Sequence, residues 1–318
     1  MMMSKDLLSL IDNHQEIILL PHVSPDGDTL GSTFALNSYL KSLGKTTYVV
    51  LNDEVPSNLL FLINDTLYTE EAFDALKVKS TLTFAMDASD AGRLDTRQKY
   101  LKDVQTICID HHITNTNYCD TNFVTPDASS TGEVLYELLY ADGDSIPLEI
   151  ASSIYVAILM DTGSFRYSNT SSRTMEIVSK LFGAGINYVD LNIEVYQNVP
   201  IEKFKFTNMV LNTLELSHEN KVGLVYITEN MIQDAGLTMQ DTDGIIENVR
   251  DIDSIEVALF LREVSPNVFK GSARSKRYYD VASLSLGFGG GGHVRAAGFT
   301  IEGDLHEVKN RILSSIQL

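Results

Sequence analysis

Cysteine is nearly absent from this chain of 318 residues, which carries only Cys108 and Cys119. We therefore do not expect a secreted protein stabilised by disulfides. Two cysteines in a chain of this length instead indicate a reducing compartment. No apolar run approaches the roughly 20 residues that a membrane-spanning helix needs. The segment from Met1 to Leu10 also lacks the long apolar stretch of a signal peptide. We therefore expect a cytoplasmic protein with no membrane association.

Positive charge is scarce as well, because 24 Lys and Arg face 43 Asp and Glu, for a net charge of −19. This balance disfavours non-specific attraction to nucleic acid or to anionic lipid. An anionic substrate would need a local reversal of sign, and one stretch, Val264 to Ile301, has it. A solvated basic face is the alternative interpretation of that stretch. Its charged residues are Lys270, Arg274, Lys276, Arg277, Arg295 and Asp280.

The length exceeds one typical core and predicts two domains. Apolar strand patterns alternate with helical patterns over residues 1–189, which predicts an α/β domain with a doubly wound, mainly parallel sheet. Residues 190–214 are predicted as a helical linker, and residues 215–318 as a smaller α/β domain. The predicted strands are Glu16 to Pro21, Thr46 to Leu51, Thr81 to Met86, Val104 to Ile109, Lys221 to Thr228, Ser254 to Arg262 and Asn267 to Ala273. The first main predicted helix begins near Asp28 and is stopped by Gly44. The other main predicted helices cover Ser130 to Leu139, Pro147 to Met160, Thr174 to Phe182, Ile201 to Leu214 and Leu305 to Ile316.

Acids and imidazoles collect where the predicted strands and helices end. Because ligands bind at the carboxyl ends of strands in such sheets, these side chains are candidates for one site. Imidazole and carboxylate without a thiolate favour divalent metals such as Mn²⁺, and the number of ligands favours two ions. Each residue alone is more simply explained as a cap or turn residue, and only their joint occurrence points to metal. The six candidate ligands are His22, Asp26, Asp28, Asp87, His111 and Asp161, and Asp110 and His112 flank His111 at the same strand end.

A run of four glycines, Gly289 to Gly292, precedes His293 in the predicted second domain. Without side chains, such a backbone can approach a base closely or turn its N–H groups toward a phosphate. A flexible hairpin loop is the ordinary alternative. The basic residues nearby favour a role in binding an anion.

These motifs, in this order, resemble those of the DHH phosphoesterase superfamily, and the C-terminal motifs resemble its DHHA1 domain. The N-terminal motifs are His22-x-x-x-Asp26-x-Asp28, Asp87, Asp110-His111-His112 and Asp161. The C-terminal ones are Arg274-Ser275 and Gly289 to His293, followed by Ala296-Ala297-Gly298. The two-domain layout is similar to the NrnA-type enzymes, which are bifunctional oligoribonucleases (nanoRNases) and 3′-phosphoadenosine 5′-phosphate phosphatases. The resemblance implies an active site in the cleft between the domains.

Residue roles follow from the resemblance. It implies that His22, Asp26 and Asp87 hold one Mn²⁺ and that Asp28, Asp87, His111 and Asp161 hold the other, with Mg²⁺ or Co²⁺ as substitutes. Two such ions can supply a hydroxide for in-line attack at phosphorus. The resemblance further assigns His112 to the scissile phosphate, with Asp110 orienting the histidines. The expected substrate-binding residues are Arg93, Arg274, Ser275, Gly290, Gly291, Gly292 and His293.

The expected substrates are short RNA oligonucleotides, 3′-phosphoadenosine 5′-phosphate and linear dinucleotides, rather than long duplex nucleic acid. Two alternatives stay open. One is a soluble phosphodiesterase of linear or cyclic dinucleotides, and the other is a nucleotide-binding regulator without catalysis. The resemblance also leaves a homodimer open.

Overall fold

The computed structural model describes residues 2–140, 143, 145–236, 242 and 244–318. The chain divides into two compact units, Met1–Asn198 and Val199–Leu318. Within the described ranges, no helix has both the length and the apolar character needed to cross a bilayer.

The first unit is built on a six-stranded, entirely parallel sheet. Its strands are β1 (Glu16–Pro21), β2 (Thr46–Val50), β3 (Leu67–Tyr68), β4 (Leu82–Met86), β5 (Gln105–Asp110) and β6 (Thr121–Val124). The order β3-β2-β1-β4-β5-β6 reverses direction at β1 and β4. In a doubly wound sheet, the crevice at that switch point is where ligands bind. The four strands predicted here are confirmed within two residues at each end, whereas the short β3 and β6 were not predicted.

Helices cover this sheet. They are α1 (Met2–Asp12), α2 (Gly27–Ser42), α3 (Glu70–Leu76), α4 (Thr131–Tyr140), α5 (Leu148–Asp161), α6 (Ser172–Gly183) and α7 (Tyr188–Asn192). The described residues of this unit also form 3₁₀ segments at Ser57–Leu62 and Ala91–Leu101 and a π-helical turn at Ile193–Gln197. Helices α2 and α5 pack closely at Gly31, which has no side chain to separate them. A Cβ atom at this position would lie only 2.5 Å from the Ser153 carbonyl oxygen. The predicted helices that match α2, α4, α5 and α6 are confirmed.

The second unit contains a mixed six-stranded sheet. Its elements are α8 (Ile201–Leu211), β7 (Glu215–Ser217), β8 (Val222–Ile227), α9 (Glu229–Ala235), α10 (Ile245–Arg250), β9 (Val257–Ser265), β10 (Val268–Ser275), α11 (Val281–Leu286), β11 (Gly291–His293), β12 (Ala296–Glu302) and α12 (Leu305–Ser315). The strand order is β11-β12-β10-β9-β8-β7. Strands β8 and β9 are parallel, and the other neighbours are antiparallel. Helix α8 packs on this unit through Phe206 and Val210.

The glycine run is not the flexible hairpin loop that the sequence left open as an alternative. Gly291–His293 is a strand at the edge of the sheet, where Gly291 pairs with Gly298 and His293 with Ala296. The N–H group of Gly290 donates to the Ser285 carbonyl oxygen at 2.9 Å. The backbone here is therefore ordered by the neighbouring strand and helix rather than left free.

Candidate metal and catalytic site

Five elements of the first unit bring the predicted acids and imidazoles together. His22 follows β1, Asp87 follows β4, and Asp110 is the last residue of β5. Asp26 caps the N-terminus of α2 by accepting a hydrogen bond from the Thr29 N–H at 3.0 Å. The list is completed by Asp28 in the first turn of α2, His111 and His112 directly after β5, and Asp161 at the end of α5. All these ends meet at the switch point of the sheet.

The donor atoms form three overlapping groups in which all ligand atoms lie within 4.8 Å of one another. The groups are His22, Asp26 and Asp87, then Asp28, His111 and Asp161, and then Asp87, His111 and His112. Asp87 Oδ2 lies 3.5 Å from His22 Nε2, and Asp87 Oδ1 lies 3.9 Å from His111 Nε2. The two oxygens of Asp87 therefore face two different ligand groups, as a bridging carboxylate does.

Hydrogen bonds orient the imidazoles of His22 and His111 so that their Nε2 atoms face the carboxylates of the site. The Nδ1–H of His22 donates to the Val23 carbonyl oxygen at 2.7 Å. The Nδ1–H of His111 donates to the Ala128 carbonyl oxygen at 3.3 Å. With Nδ1 protonated, Nε2 carries the lone pair that a metal requires.

Asp28 is held by the N-terminus of α4. Its Oδ2 accepts a hydrogen bond from the Thr131 N–H at 2.7 Å, and its Oδ1 accepts one from the Gly132 N–H at 2.9 Å. A carboxylate is favoured there because the first N–H groups of a helix have no partner within it. Gly132 is required for this contact, since a Cβ atom would lie 2.5 Å from the Cβ of Ala157 on α5.

Asp87 occupies a left-handed backbone conformation, with φ of +56°. That region is uncommon for a residue with a side chain and is tolerated best by Asn and Asp. Its carboxylate is fixed by the hydroxyl of Thr29, which donates to Oδ2 at 2.7 Å, and by that of Thr131, which donates to Oδ1 at 2.8 Å. The strained backbone and the two hydroxyls together hold the carboxylate in one orientation.

A buried arginine supports the strand end that carries His22. Arg97 has no solvent-accessible surface, and its Nη1 donates to the carbonyl oxygens of Pro21 at 2.8 Å and Val50 at 2.7 Å. Pro21 is the last residue of β1, so this guanidinium joins the ends of β1 and β2 beneath the site.

Asp110 is fully buried and organises the two histidines that follow it. Its Oδ1 accepts the backbone N–H of His111 at 2.8 Å and the Nδ1–H of His112 at 2.7 Å. Its Oδ2 accepts from the side-chain amide of Asn115 at 2.6 Å. Asp110 belongs to none of the three ligand groups, which fits an orienting role.

Crowding of the carboxylates is visible in their pKa values. Burial, together with Asp87, Asp161 and Asp26, raises the pKa of Asp28 well above its usual range. Burial also raises the pKa of Asp161 to about 7, although the positive charge of His111 opposes the shift. Asp87 behaves oppositely: burial would raise its pKa, but His22, His111 and His112 outweigh burial and lower it.

The negative charge of these carboxylates also shifts the pKa values of the imidazoles. Burial alone would lower the pKa of His112, but the hydrogen bond that His112 donates to Asp110 and the charges of Asp87, Asp110 and Asp161 raise it to about 9. The pKa of His22 is also raised, because Asp87 and Asp26 outweigh its burial and the opposing charge of Arg93.

This donor set fits divalent cations. Buried carboxylates are costly unless a positive charge compensates them. Here Asp28 and Asp87 are buried, and the half-buried Asp161 lies in the same ligand group as Asp28. Carboxylate oxygens with imidazole nitrogens and no thiolate are the ligands of Mn²⁺ and related ions. The structure thus supplies both the ligands and an electrostatic reason for metal binding.

The predicted nucleotide-binding residues of the second unit lie at one end of its sheet. Ala296 of β12 pairs with Arg274 on one side and with His293 on the other. Arg274 Nε donates to Glu247 Oε1 at 3.2 Å, and Ser275 Oγ donates to the Val294 carbonyl oxygen at 3.4 Å. Gly290 and Gly292 allow close strand packing, because their Cβ atoms would lie 2.1 Å from Gly298 O and 2.6 Å from Ala296 O. Gly291, between them, would meet no atom within 4 Å.

Arg93, the remaining predicted residue, lies in the 3₁₀ segment of the first unit. Its carbonyl oxygen accepts the Val23 N–H at 2.9 Å. Its side chain is exposed, and its charge acts on His22. The structure therefore puts Arg93 beside the ligand group of His22.

Sequence reasoning missed the residues that position the ligands: Thr29, Arg97, Asn115, Ala128 and Thr131. The signal for Thr131 was its place at the start of the helix predicted over Ser130 to Leu139. Gly27, between Asp26 and Asp28, has no positive φ, and glycine is needed there because a Cβ atom would meet the Met160 Sδ at 2.1 Å.

The chain matches two known family profiles. The DHH family, N-terminal domain, matches residues 16–158, and the DHHA1 domain matches residues 220–317. The chain belongs to the DHH/DHHA1 phosphoesterase family and is a hydrolase, as its motifs predicted.

Within that family, two similar proteins carry the name NrnA. The bifunctional oligoribonuclease and PAP phosphatase NrnA of Thermus thermophilus is 32% identical over 302 residues, which cover 95% of this chain and 89% of that protein. The protein of the same name from Bacillus subtilis is 26% identical, over 94% of this chain and 93% of that one. An exopolyphosphatase-related protein from Bacteroides fragilis has the same fold, with a TM-score of 0.90 and 24% identity over 98% of this chain and 96% of its own.

Proposed function

We propose that the chain is a Mn²⁺-dependent phosphoesterase that hydrolyses short oligoribonucleotides to mononucleotides and 3′-phosphoadenosine 5′-phosphate to AMP. The observation that carries this proposal is the position of the Asp87 carboxylate between two imidazole-acid groups. Relatives that align with nearly the whole chain are named for both activities.

We assign one ion to His22, Asp26 and Asp87. The other ion is assigned to Asp28, Asp87, His111 and Asp161, with Mg²⁺ or Co²⁺ as substitutes. When bound, the pair supplies a nucleophile at neutral pH and compensates charge on the phosphoryl oxygens. The protein's task is to fix the ligands, which the hydroxyls of Thr29 and Thr131 and the N-terminus of α4 do.

His112 is the proposed proton donor to the departing sugar oxygen. Its Nδ1 is engaged by Asp110, which leaves Nε2 as the nitrogen that can face the substrate. Asp110 orients the ring and favours its protonated form, as carboxylates behind catalytic histidines do.

The proposed nucleotide-binding groups are Arg274, Ser275, His293 and the glycines Gly290, Gly291 and Gly292, with Arg93 as a further phosphate contact. The overall charge of −19 supports short substrates, since long strands require an extended basic groove. A cytoplasmic location is part of the proposal, because both cysteines are free thiols.

Incubation of the purified chain with Mn²⁺ and a substrate panel tests this function. The panel contains RNA of about three to five nucleotides, 3′-phosphoadenosine 5′-phosphate, linear and cyclic dinucleotides, and a long RNA. We expect turnover of the short RNAs and of 3′-phosphoadenosine 5′-phosphate, and little of the long RNA. Exclusive turnover of dinucleotides would instead support a dedicated dinucleotide phosphodiesterase. Nucleotide binding without any turnover would contradict the proposal.

A further inference from the structure

The loop Lys276–Asp280, which joins β10 to α11, is held from beneath by a buried carboxylate. Glu256 Oε1 accepts the backbone N–H groups of Arg277 at 3.1 Å, Tyr278 at 2.7 Å and Tyr279 at 2.8 Å. Glu256 is 4% exposed, so burial of this charge is compensated by those three hydrogen bonds. A loop fixed in this way is preorganised rather than free to adapt.

The same loop is tied to the turn of the β11–β12 hairpin. Arg295 Nη1 donates to the Tyr279 carbonyl oxygen at 2.8 Å. The N–H of Val281 donates to the Val294 carbonyl oxygen at 3.0 Å. The hairpin turn directly follows His293, so the loop is fixed beside a proposed nucleotide-binding residue. It also begins one residue after Ser275, another of them.

Tyr278 points away from the core of the unit. Its side chain is 61% exposed, whereas the next residue, Tyr279, packs against the apolar core. Arg277, on its other side, is exposed as well. The rigid loop therefore presents an aromatic ring and a guanidinium to solvent, although burial of the ring would be more favourable.

This combination suits a nucleotide. Every nucleobase has a face that stacks on an aromatic ring, and a neighbouring cation can contact the phosphate. A rigid ring is the better platform, since no loop ordering opposes binding. Both features lie next to Arg274, Ser275 and His293, the residues proposed to hold one nucleotide.

We propose that Tyr278 stacks on the base of a second nucleotide, adjacent to the nucleotide held by Arg274 and His293, with Arg277 near its phosphate. This inference rests on the proposed function and adds a subsite to it. The subsite would favour oligoribonucleotides over 3′-phosphoadenosine 5′-phosphate, which has only one base.

Substitution of Tyr278 tests the subsite. We expect Tyr278→Ala to raise KM for a 5′-phosphorylated diadenylate by about tenfold, from the lost stacking. kcat on that substrate, and both constants for 3′-phosphoadenosine 5′-phosphate, should stay within about twofold. Tyr278→Phe keeps the ring and should behave like the wild type. Leu216→Ala is the matched control, since Leu216 is an exposed apolar residue on β7 at the opposite edge of the same sheet.

If Tyr278→Ala changed KM equally for the diadenylate and for 3′-phosphoadenosine 5′-phosphate, or changed neither, the proposed subsite would be wrong. A changed oligomeric state with unchanged diadenylate binding would also overturn it and would assign Tyr278 to a protein contact. If the wild type turned over neither substrate, the proposed function would fail separately. Equilibrium dialysis of the diadenylate would then decide the subsite, which requires binding by the wild type and about tenfold weaker binding by Tyr278→Ala.

Discussion

Nδ1 of His112 lies 2.7 Å from Oδ1 of Asp110, a carboxylate with no exposed surface. The pair fixes which nitrogen of His112 can reach a substrate. The same carboxylate also receives the backbone N–H of His111. One buried acid therefore orients both a proposed metal ligand and the proposed proton donor.

Asp110→Asn should lower kcat by about tenfold to a hundredfold, as loss of an orienting partner commonly does. The amide would turn an NH₂ group toward His112 or toward the Asn115 amide, which already donates to Asp110. KM should change little, because Asp110 is not expected to touch the substrate. Steady-state kinetics at saturating Mn²⁺ measure both constants. An unchanged kcat would contradict the orienting role.

Asp87→Asn should abolish nearly all turnover and lower the bound metal, because the shared charged ligand is lost. Asn tolerates the left-handed backbone at this position, so the fold should survive. Elemental analysis of the dialysed protein measures the metal, and circular dichroism checks folding.

Asp103→Asn is the control for that substitution, since Asp103 also has a positive φ (+58°) but is exposed and outside the site. It should retain metal and activity. Full metal content in Asp87→Asn would show that Asp87 is not a bridging ligand.

Removal of metal should destabilise the first unit, because its buried carboxylates then repel one another. A ligand at a hundred times its Kd stabilises the native state by about 2.7 kcal/mol. A chelator should therefore lower Tm by about 5 °C or more. Differential scanning calorimetry with and without Mn²⁺ measures the shift. An equal chelator effect on Asp87→Asn would locate the stabilising ion elsewhere.

Arg97→Met should lower the free energy of unfolding by about 2 kcal/mol or more, since the buried carbonyl oxygens of Pro21 and Val50 lose their donor. It should also weaken metal retention, because Pro21 precedes His22. Arg173→Met is the matched control: Arg173 is an exposed, ion-paired arginine on α6, and its loss should cost less than about 1 kcal/mol. Urea unfolding measures both changes. Equal losses in the two variants would refute a special role for Arg97.

Gly290→Ala should raise KM for nucleotides far more than for a small chromogenic phosphodiester. The added methyl group would displace β12, where Gly290 meets the Gly298 carbonyl oxygen, while the metal ligands in the first unit stay intact. Gly183→Ala is the control, because a Cβ atom there meets nothing within 4 Å. A parallel loss on both substrates would argue against separate binding and chemical roles for the two units.

The sequence predicted most of the first sheet because the four predicted strands are apolar runs, and three of them end at or directly before a residue of the candidate site. Glu16–Pro21 was predicted to the residue, since His22 and the Asp26-Gly27-Asp28 turn mark its end. The two-residue β3 was missed, because a strand that short carries no periodicity. The strand at Gly291–His293 was not predicted, because its pairing with β12 depends on a strand partner rather than on local sequence.

The candidate metal ligands could be predicted from the sequence, but the residues that hold those ligands in position could not. Motif spacing selects His22, Asp87 and Asp161, whereas the hydroxyls that fix Asp87 and the guanidinium that supports the strand before His22 come from residues distant in sequence. Thr131 reaches Asp87 across 44 positions and Arg97 reaches Pro21 across 76. Such pairs have no local signal, since any Thr or Arg on the surface would look the same in the sequence.

Crystals of the chain grown with Mn²⁺, measured at the manganese absorption edge, test the central claim most directly. We expect two anomalous peaks, one ligated by His22 and Asp26 and one by Asp28, His111 and Asp161, with Asp87 bound to both. A single peak, or peaks that do not share Asp87, would contradict the account.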